Sequence, residues 1–227
     1  MKPSRRDEIL RILGERGRIS IEELSEAVYA SSSTVRRELT RLEQQGLVRR
    51  YHGGVSQAGA LMPPKTIRET RNQAEKAAVA EKAARLISEG ETVFIDASST
   101  VQYMIAHLSG IKRLTVYTNG ADTAMRLSEA GVRAISVGGE LLAESMAYVG
   151  AIAEACIRRV RFDAAFLSAA GFDGEMVSDW SEAETVLRRT VIECSERCYL
   201  LFDHSKLGKR YTHVLCQRGE LDGIICE

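Results

Sequence analysis

Short apolar segments alternate with helical stretches over the last two thirds of the chain, and this alternation limits the possible folds more than any other feature. An alanine-rich helical stretch begins at Gln73 and ends at Gly90. Beyond it, five segments have the pattern of strands: residues 92–95, 114–117, 132–137, 164–167 and 199–202. Strands separated by helices pair mainly in parallel, with helices on both faces of the sheet. We therefore predict a mainly parallel α/β domain over residues 73–227.

The first 57 residues show a different pattern, in which three short helices precede a hairpin. Ser20 and Glu23 form a capping box for the second helix, and the third helix begins at Ser31. The residues expected to face the core are Ile9, Ile12, Leu13, Leu24, Ala27, Val28, Val35, Leu39 and Leu42. Gly46 ends the third helix, and residues 47–50 and 55–57 form two short strands. The pattern predicts a winged helix-turn-helix domain over residues 1–57.

The two predicted domains differ in charge. Residues 1–57 contain 11 Lys and Arg against 8 Asp and Glu, and the other residues contain 20 against 23. Residues 58–72 hold two of the three prolines without any periodicity, which predicts a linker. A basic head joined to a weakly acidic body indicates a polyanion-binding module attached to a second function.

The third helix has a basic outward face. Steps of about 100° per residue place Ser33, Arg37 and Arg41 opposite the core stripe. Hydroxyls and arginines at a helix N-terminus fit the DNA major groove, where they reach base edges and phosphates. The DNA-binding candidates, with those of the hairpin, are Ser31, Ser33, Thr34, Arg36, Arg37, Arg41, Arg50, His52 and Gly53. A solvated arginine face and a plain polar turn are the alternatives.

Polar turns follow the predicted strands of the second domain. Ligands of parallel sheets bind beyond the carboxyl ends of the strands. The hydroxyls of Ser98-Ser99-Thr100 beside backbone N–H groups suit a phosphate, and Lys206 supplies a cation. The effector-binding candidates are Asp96, Ser98, Ser99, Thr100, Thr118, Asn119, Gly138, Gly139, Asp173 and Lys206. An ordinary helix cap and a surface lysine are the alternatives.

Several functional classes lack their sequence signals. Neither GxGxxG nor GxxxxGK[ST] occurs, which disfavours a dinucleotide or nucleoside triphosphate site. The five cysteines form no CxxC pair and have no histidine at metal-binding spacing, so we expect reduced thiols, no metal and no cofactor. The absence of an apolar leader or a long apolar run predicts a cytoplasmic protein without membrane contact.

Motifs in both predicted domains resemble those of the DeoR family of bacterial sugar-metabolism regulators. The DNA-binding signature runs through Ser31, Thr34-Val35-Arg36-Arg37-Glu38-Leu39, Leu42-Glu43, Gly46, Arg50 and His52-Gly53-Gly54. The sensor-domain landmarks are Glu75-Lys76, Asp96-Ala97-Ser98-Ser99-Thr100, Thr118-Asn119, Gly138-Gly139, Gly171-Phe172-Asp173 and Asp203-His204-Ser205-Lys206. The resemblance covers nearly the whole chain.

This resemblance implies a repressor of a carbohydrate-utilisation operon that a phosphorylated sugar releases from DNA. It implies a sensor domain similar to ribose-5-phosphate isomerase, and homo-oligomers, dimers or tetramers, on repeated operator sites. Position 98 is serine where the family usually has glycine, which adds a hydroxyl to the cradle. Family members usually continue beyond Glu227 through a further helix and strand, so a different sheet edge or oligomer interface is expected.

Two other functions compete with a metabolite-released repressor. A sugar-phosphate isomerase needs a carboxylate base near the phosphate cradle, and the candidates are Asp96, Asp173, Glu182 and Glu184. The isomerase family's acidic motif falls near Ser168-Ala169-Ala170-Gly171, which has no acid, so we expect no enzyme. A regulator controlled by a partner protein is the third alternative. Trp180 is expected either in a lid over the crevice or packed in the core.

Overall fold

The computed structural model describes residues 4–44, 47–51, 54–57 and 63–227. The chain forms two compact units, Met1–Pro63 and Pro64–Glu227. Among the described residues, no helix is both long enough and apolar enough to cross a membrane.

The first unit is a winged helix-turn-helix, as predicted. Its elements are α1 (Arg5–Arg16), β1 (Arg18–Ser20), α2 (Ile21–Ala27), α3 (Ser32–Gln44), β2 (Val48–Tyr51) and β3 (Gly54–Gln57). The strands form an antiparallel sheet in the order β1-β3-β2. Sequence patterning predicted β2 and β3 but not β1, because three residues before a helix cap are too short for a recognisable alternation.

Local capping explains where the first helices begin and end. Ser4 with Asp7, and Ser20 with Glu23, form reciprocal capping boxes at the starts of α1 and α2. Gly17 ends α1 with a positive φ of 71°, and its N–H donates to the carbonyl of Leu13. The buried core stripes contain Ile9, Leu10, Ile12, Leu13, Leu24, Val35, Leu39 and Leu42. Packing of these stripes fixes α3 with its polar face outward.

The second unit consists of a parallel sheet with helices and two small antiparallel sheets. Its helices are α4 (Lys65–Glu69), α5 (Gln73–Ala84), α6 (Ala121–Glu129), α7 (Ala151–Ile157) and α8 (Glu182–Glu193), with 3-10 helices at Val101–His107, His204–Lys206 and Arg218–Glu220. Its strands are β4 (Thr92–Ile95), β5 (Thr115–Thr118), β6 (Arg133–Ser136), β7 (Glu140–Leu142), β8 (Ala147–Val149), β9 (Ala164–Leu167), β10 (Gly171–Phe172), β11 (Met176–Asp179), β12 (Cys198–Leu201), β13 (His213–Gln217) and β14 (Gly223–Ile225).

The main sheet is parallel throughout, in the order β14-β12-β9-β4-β5-β6. The chain runs outward from β4 through β5 to β6 and then returns to β9 beside β4, so a switch point lies between β4 and β9. Phe94 packs in the core on one face of the sheet, and its neighbours Val93 and Ile95 pack on the other. The predicted α/β fold is therefore confirmed, with helices on both faces.

The strands β7, β8, β10, β11 and β13 were not predicted from the sequence, and three further details differ from the predictions. Residues 65–69 of the predicted linker form α4, because Lys65 and Ile67 are buried in the second unit. The chain end adds β14, which pairs with β12 and forms one edge of the sheet. The helix after the predicted phosphate loop is a 3-10 helix, Val101–His107.

Candidate functional site: a basic helix face and a cationic crevice

The outward face of α3 carries a hydroxyl cluster and two exposed arginines. The Ser31 hydroxyl lies 3.0 Å from the Ser33 hydroxyl and 2.9 Å from the Thr34 hydroxyl, at the start of the helix. Backbone N–H groups of the first turn donate to the Ser31 carbonyl, so Ser31 occupies the cap position as predicted. Arg36 and Arg37 are exposed, and no side-chain partner for either occurs among the described residues. Both guanidinium groups are therefore available to an anionic surface.

Two further arginines are engaged within the first unit. Arg41 lies 3.5 Å from Glu38 in an exposed ion pair. The Arg50 guanidinium donates to the Thr40 hydroxyl at 3.0 Å, and its backbone N–H donates to Glu43 at 3.0 Å. Arg50 therefore ties β2 to the exposed face of α3, an arrangement that sequence patterning did not predict.

Three predicted positions lie outside the described residues. They are Gly46 at the predicted helix end, and His52 and Gly53 in the predicted wing. Their roles remain predictions from the sequence.

In the second unit, the loops after β4 and β9 meet at the switch point of the sheet. Ser98, Ser99 and Thr100 follow β4, and all three are buried. The Ser98 hydroxyl accepts the N–H of Val101 at 3.2 Å, which folds the loop into the 3-10 helix. Ser168, which follows β9, is also buried and donates its hydroxyl hydrogen to the Leu201 carbonyl at 2.6 Å.

Two lysines converge on this pair of loops. Lys206 Nζ donates to the Ser168 hydroxyl at 2.8 Å and to the Thr100 hydroxyl at 3.4 Å. Lys76 Nζ, from α5, donates to the Ser99 hydroxyl at 3.2 Å and to the carbonyl of Arg68. Among the described residues, neither ammonium forms an ion pair with a carboxylate. The structure therefore joins Ser99, Thr100 and Lys206 as predicted and adds Lys76.

The surroundings of Lys76 and Lys206 disfavour the protonated, positively charged form of both side chains. Burial, opposed by Asp203 and reinforced by Lys76, lowers the pKa of Lys206 to about 8. Burial likewise lowers the pKa of Lys76 to about 8, where Asp203 opposes the shift and Arg68 adds to it. Because these shifts report a crowded and desolvated set of cations, an anion bound here would stabilise both ammonium groups.

Asp203 holds the loop that carries Lys206. Its Oδ1 accepts hydrogen bonds from Asn72 at 2.8 Å and from the backbone and hydroxyl of Ser205. Burial by itself would raise the pKa of Asp203, but Ser205, Lys206 and Asn72 more than offset burial and lower it. A carboxylate that stays ionised here fixes the position of the neighbouring ammonium.

Asp96 has a structural position instead of the ligand-facing one that we predicted. Its Oδ1 accepts the N–H of Ser98 at 2.9 Å, and its Oδ2 accepts the N–H of Ser168 at 3.1 Å and the Nε–H of Arg188 at 2.9 Å. The side chain is fully buried. Asp96 therefore joins the two loops of the crevice from below.

Arg188 is the centre of a buried ionic cluster beneath the crevice. It pairs with Asp96 at 2.9 Å, with Asp179 at 2.9 Å and with Glu184 at 2.8 Å. Burial alone would lower the pKa of Arg188, but the three carboxylates raise it instead. Spacing did not reveal this cluster, because Arg188 and Glu184 are four residues apart in α8 and resemble an ordinary solvated pair.

Thr118 and Asn119 shape the neighbouring strand end. The Thr118 hydroxyl accepts the N–H of Gly120 at 3.0 Å. Asn119 Oδ1 accepts the N–H of Ala97 at 3.0 Å, and its Nδ2 donates to the carbonyl of Tyr148 at 3.3 Å. Asn119 therefore links the β4 loop to β8, and both side chains form hydrogen bonds with backbone groups.

Gly138 and Gly139 make a turn after β6 in which both residues have a positive φ, 69° and 112°. A Cβ on Gly139 would lie 2.5 Å from the carbonyl oxygen of Val149. Glycine is needed at 139 for this close approach. The close approach at Gly139 is to the Val149 backbone, and the predicted effector-binding role of both glycines stays a prediction.

Asp173 was predicted to face the effector, but its carboxylate closes a hairpin. Oδ1 accepts the N–H groups of Glu175 and Met176 at 2.9 and 2.8 Å, and Oδ2 pairs with Arg210 at 2.7 Å. These hydrogen bonds from Met176 and Glu175 lower the pKa of Asp173, against a smaller effect of burial. No contact of this carboxylate involves Lys76 or Lys206.

Trp180 lies between β11 and α8, next to the ionic cluster. Its ring packs edge-on against Tyr211, with the centroids 4.6 Å apart, and its backbone N–H donates to Asp179 Oδ1 at 2.6 Å. The side chain is partly exposed, so this tryptophan is not a core residue.

The fold of the two units defines a class, the transcriptional regulators that join a helix-turn-helix unit to a sensor domain. Residues 5–58 match the DeoR-like helix-turn-helix domain, and residues 71–227 match the DeoR C-terminal sensor domain. The chain belongs to the DeoR family of transcriptional regulators.

Curated relatives support the same assignment. The HTH-type transcriptional regulator GolR of Listeria innocua is 31% identical over 227 residues, which cover 98% of this chain and 89% of GolR. The lactose phosphotransferase system repressor of Staphylococcus aureus is 32% identical over 233 residues, which cover 100% of this chain and 92% of the repressor.

Two solved structures are similar to parts of the chain. The eIF2B delta of Chaetomium thermophilum matches with a TM-score of 0.51 and 14% identity, over 71% of this chain and 58% of that chain. The ribose 5-phosphate isomerase A of Methanocaldococcus jannaschii matches with a TM-score of 0.45 and 16% identity, over 60% of this chain and 55% of that chain.

Proposed function

We propose that this regulator is a repressor of carbohydrate-utilisation genes and that a phosphorylated sugar bound in the second unit releases it from DNA. The observation that carries the proposal is the convergence of Lys76 and Lys206 on adjacent hydroxyls at the switch point of the sheet. The name of the Staphylococcus aureus relative, a lactose phosphotransferase system repressor, supports both the repression and the carbohydrate class.

A phosphate fits the chemistry of this crevice better than a neutral ligand does. Two ammonium groups donate to three hydroxyls, of which those of Ser99 and Thr100 can in turn donate to phosphate oxygens, whereas Ser168 donates to the Leu201 carbonyl. A charge-assisted hydrogen bond contributes about 1.5–3 kcal/mol, so loss of either lysine should weaken phosphate binding by roughly 10- to 150-fold.

The DNA-binding surface in this proposal is the outward face of α3. Arg37 and Ser33 are placed to read base edges, whereas Ser31, Thr34, Arg36 and Arg41 contact phosphates. Arg50, His52 and Gly53 add contacts from the wing. The exposed and unpaired Arg36 and Arg37 are the observations within the described residues that support this division.

Release from DNA requires that the sugar phosphate bind the free and DNA-bound states with unequal affinity. Homo-oligomers, as dimers or tetramers, would couple this difference to repeated operator sites. Such coupling is reciprocal, so operator DNA would weaken sugar-phosphate binding by the same factor.

The test uses the full chain and a double-stranded operator obtained by selection from random DNA. Operator binding is measured in the presence of a panel of pentose and hexose phosphates, with each unphosphorylated sugar as its matched control. We expect one phosphate to weaken operator binding at least about 10-fold, and the corresponding free sugar to have no effect. If no phosphorylated sugar changes operator binding, the effector part of the proposal is wrong.

Two single variants test whether the α3 face, and not positive charge in general, determines operator binding. Arg37→Ala should weaken operator binding by about 1–3 kcal/mol and relax base preference, without changing sugar-phosphate binding by calorimetry. Arg16→Ala, an exposed arginine at the end of α1, is the charge-matched control. Equal losses in both variants would show that general charge, and not the α3 face, determines binding.

The isomerase alternative requires an available carboxylate beside the lysines. Asp96 and Asp173 are committed to backbone N–H groups and arginines, and Glu182 is exposed. Only Glu184 keeps a buried oxygen, Oε1, without a partner among the described residues. Turnover of ribose 5-phosphate that disappears in Glu184→Gln or Asp173→Ala would establish the enzymatic alternative.

A further inference from the structure

A second polar cluster lies at the edge of the parallel sheet, outside the proposed phosphate crevice. Because β12 and β14 are adjacent and parallel, the residues that follow them emerge at the same end of the sheet. His204 follows β12, and Cys226 and Glu227 follow β14. One nitrogen, one sulfur and one carboxylate oxygen of these side chains lie within 4.8 Å of one another.

The distances within this cluster are close to those of a tetrahedral metal site. Cys226 Sγ lies 3.6 Å from His204 Nδ1 and 3.3 Å from Glu227 Oε2. Bond lengths of about 2.3 Å to sulfur and about 2.0–2.2 Å to nitrogen or oxygen place neighbouring tetrahedral ligands about 3.3–3.6 Å apart. The carboxylate of Glu227 contacts the sulfur through Oε2 and the nitrogen through Oε1. The 2.7 Å separation of His204 Nδ1 and Glu227 Oε1 must therefore widen by roughly 0.6–0.9 Å when a metal replaces the shared hydrogen.

The surrounding contacts already hold two of the three ligands in position. The backbone N–H of His204 donates to Glu227 Oε1 at 3.0 Å, and Lys82 Nζ donates to the Cys226 carbonyl at 2.9 Å. Contacts of this kind orient metal ligands and contribute to affinity. The His204 side chain is 63% exposed, so a fourth position is open to water.

We propose that His204, Cys226 and Glu227 form a binding site for a borderline-soft divalent metal ion, with Zn²⁺ as the best fit. Thiolate, imidazole and carboxylate are the three side-chain ligands that zinc uses in proteins, and the set excludes Mg²⁺ and Ca²⁺, which require oxygen ligands. Three protein ligands and one water complete the tetrahedron.

Bound metal would fasten the loop after β12 to the end of β14. That loop also carries Asp203 and Lys206, so the metal would restrain one side of the crevice. The metal site itself does not depend on the proposed effector. Sequence spacing predicted no metal, because His204 and Cys226 are 22 positions apart in the chain and only the parallel pairing of β12 and β14 brings them together.

The test is a titration of the full-length, reduced protein with Co²⁺, followed by displacement with Zn²⁺. We expect one Co²⁺ per chain, with an intense near-ultraviolet charge-transfer band from the thiolate and visible bands typical of tetrahedral cobalt. Added Zn²⁺ should remove both sets of bands. Absence of the near-ultraviolet band at saturating Co²⁺ would overturn the proposal.

Matched variants assign the ligands. Cys226→Ser should abolish the near-ultraviolet band and weaken Zn²⁺ binding by at least about 100-fold, since loss of an outer contact alone costs 10- to 100-fold. Cys156→Ser, another partly buried free thiol, should keep the band. His204→Asn, at an exposed side chain, should weaken binding without affecting the circular dichroism spectrum. A band that persists in Cys226→Ser, or disappears in Cys156→Ser, would refute the assignment.

Discussion

Removal of the Arg188 guanidinium should destabilise the second unit more than any other single charge change in it. Arg188 donates three hydrogen bonds of 2.8–2.9 Å to Asp96, Asp179 and Glu184, and all four side chains are at most 4% exposed. In Arg188→Met the packing volume is largely kept, but three carboxylates lose their cation. Breaking a buried ion pair from one side costs about 3–5 kcal/mol.

The three carboxylates would not lose the same amount of stabilisation when Arg188 is removed. Asp96 keeps the N–H groups of Ser98 and Ser168, and Asp179 keeps the N–H of Trp180. Glu184 accepts only from Arg188 among the described side chains, and its Oε1 already has no partner. Most of the cost should therefore come from Glu184.

Urea unfolding followed by the fluorescence of Trp180, the only tryptophan, reports on this unit directly. With an m-value of about 2 kcal/mol/M, a loss of 3–5 kcal/mol lowers the midpoint by about 1.5–2.5 M. Arg189→Met, the adjacent residue with surface partners Glu193 and Glu220, should cost no more than about 1 kcal/mol.

The double variant Arg188→Met/Glu184→Gln tests the reasoning itself. Removing the orphaned charge should recover roughly 1–2 kcal/mol relative to Arg188→Met alone. A midpoint of Arg188→Met within about 0.3 M of wild type would show that the cluster does not stabilise the unit. Absence of recovery in the double variant would show that Glu184 is not the source of the cost.

Three further predictions concern the crevice and its scaffold. Phosphate affinity should fall as pH rises through about 8, the pKa of Lys206, because deprotonation removes the cation. Calorimetry should show a flatter dependence of phosphate affinity on pH in Lys206→Arg. The same pH dependence in this variant as in the wild type would contradict the role of the Lys206 ammonium. Gly139→Ala should lower the free energy of unfolding in urea by about 2–4 kcal/mol, because residue 139 has a positive φ and its Cβ would contact the Val149 carbonyl. Gly110→Ala, with open space around it, should lower this free energy by less than about 1 kcal/mol. Sugar-phosphate binding should change Trp180 emission, and a flat fluorescence titration with a ligand that calorimetry shows to bind would place this residue away from the site.

Strand alternation and capping were sufficient to predict the general architecture. The ends of the five strands predicted for the second unit were correct to within one or two residues, and the crevice loops therefore fell in the right place. The capping box of Ser20 and Glu23 was predicted from four residues, because its hydrogen bonds are entirely local.

Sequence patterning could not predict contacts between charged residues that are far apart in the chain. Asp96 and Asp173 were predicted as ligand-facing acids, since a carboxylate at a strand end has the same sequence appearance whether it binds a ligand or pairs with an arginine of the chain. Lys76 was visible only through the family resemblance, because a lysine in an alanine-rich helix normally faces solvent. Burial against the β4 loop, which gives Lys76 its role, depends on tertiary packing.

The long sequence separation within the Arg188 cluster has a consequence during synthesis. Asp96 and Arg188 are 92 residues apart, so the crevice closes only after most of the second unit has been made. Domains fold mostly in order from the N-terminus, at about 5–20 residues per second of translation. The roughly 140 residues between the first unit and Lys206 then take about 7–28 s to appear. During that interval the nascent chain would carry the helix-turn-helix without the complete crevice that the proposed effector requires.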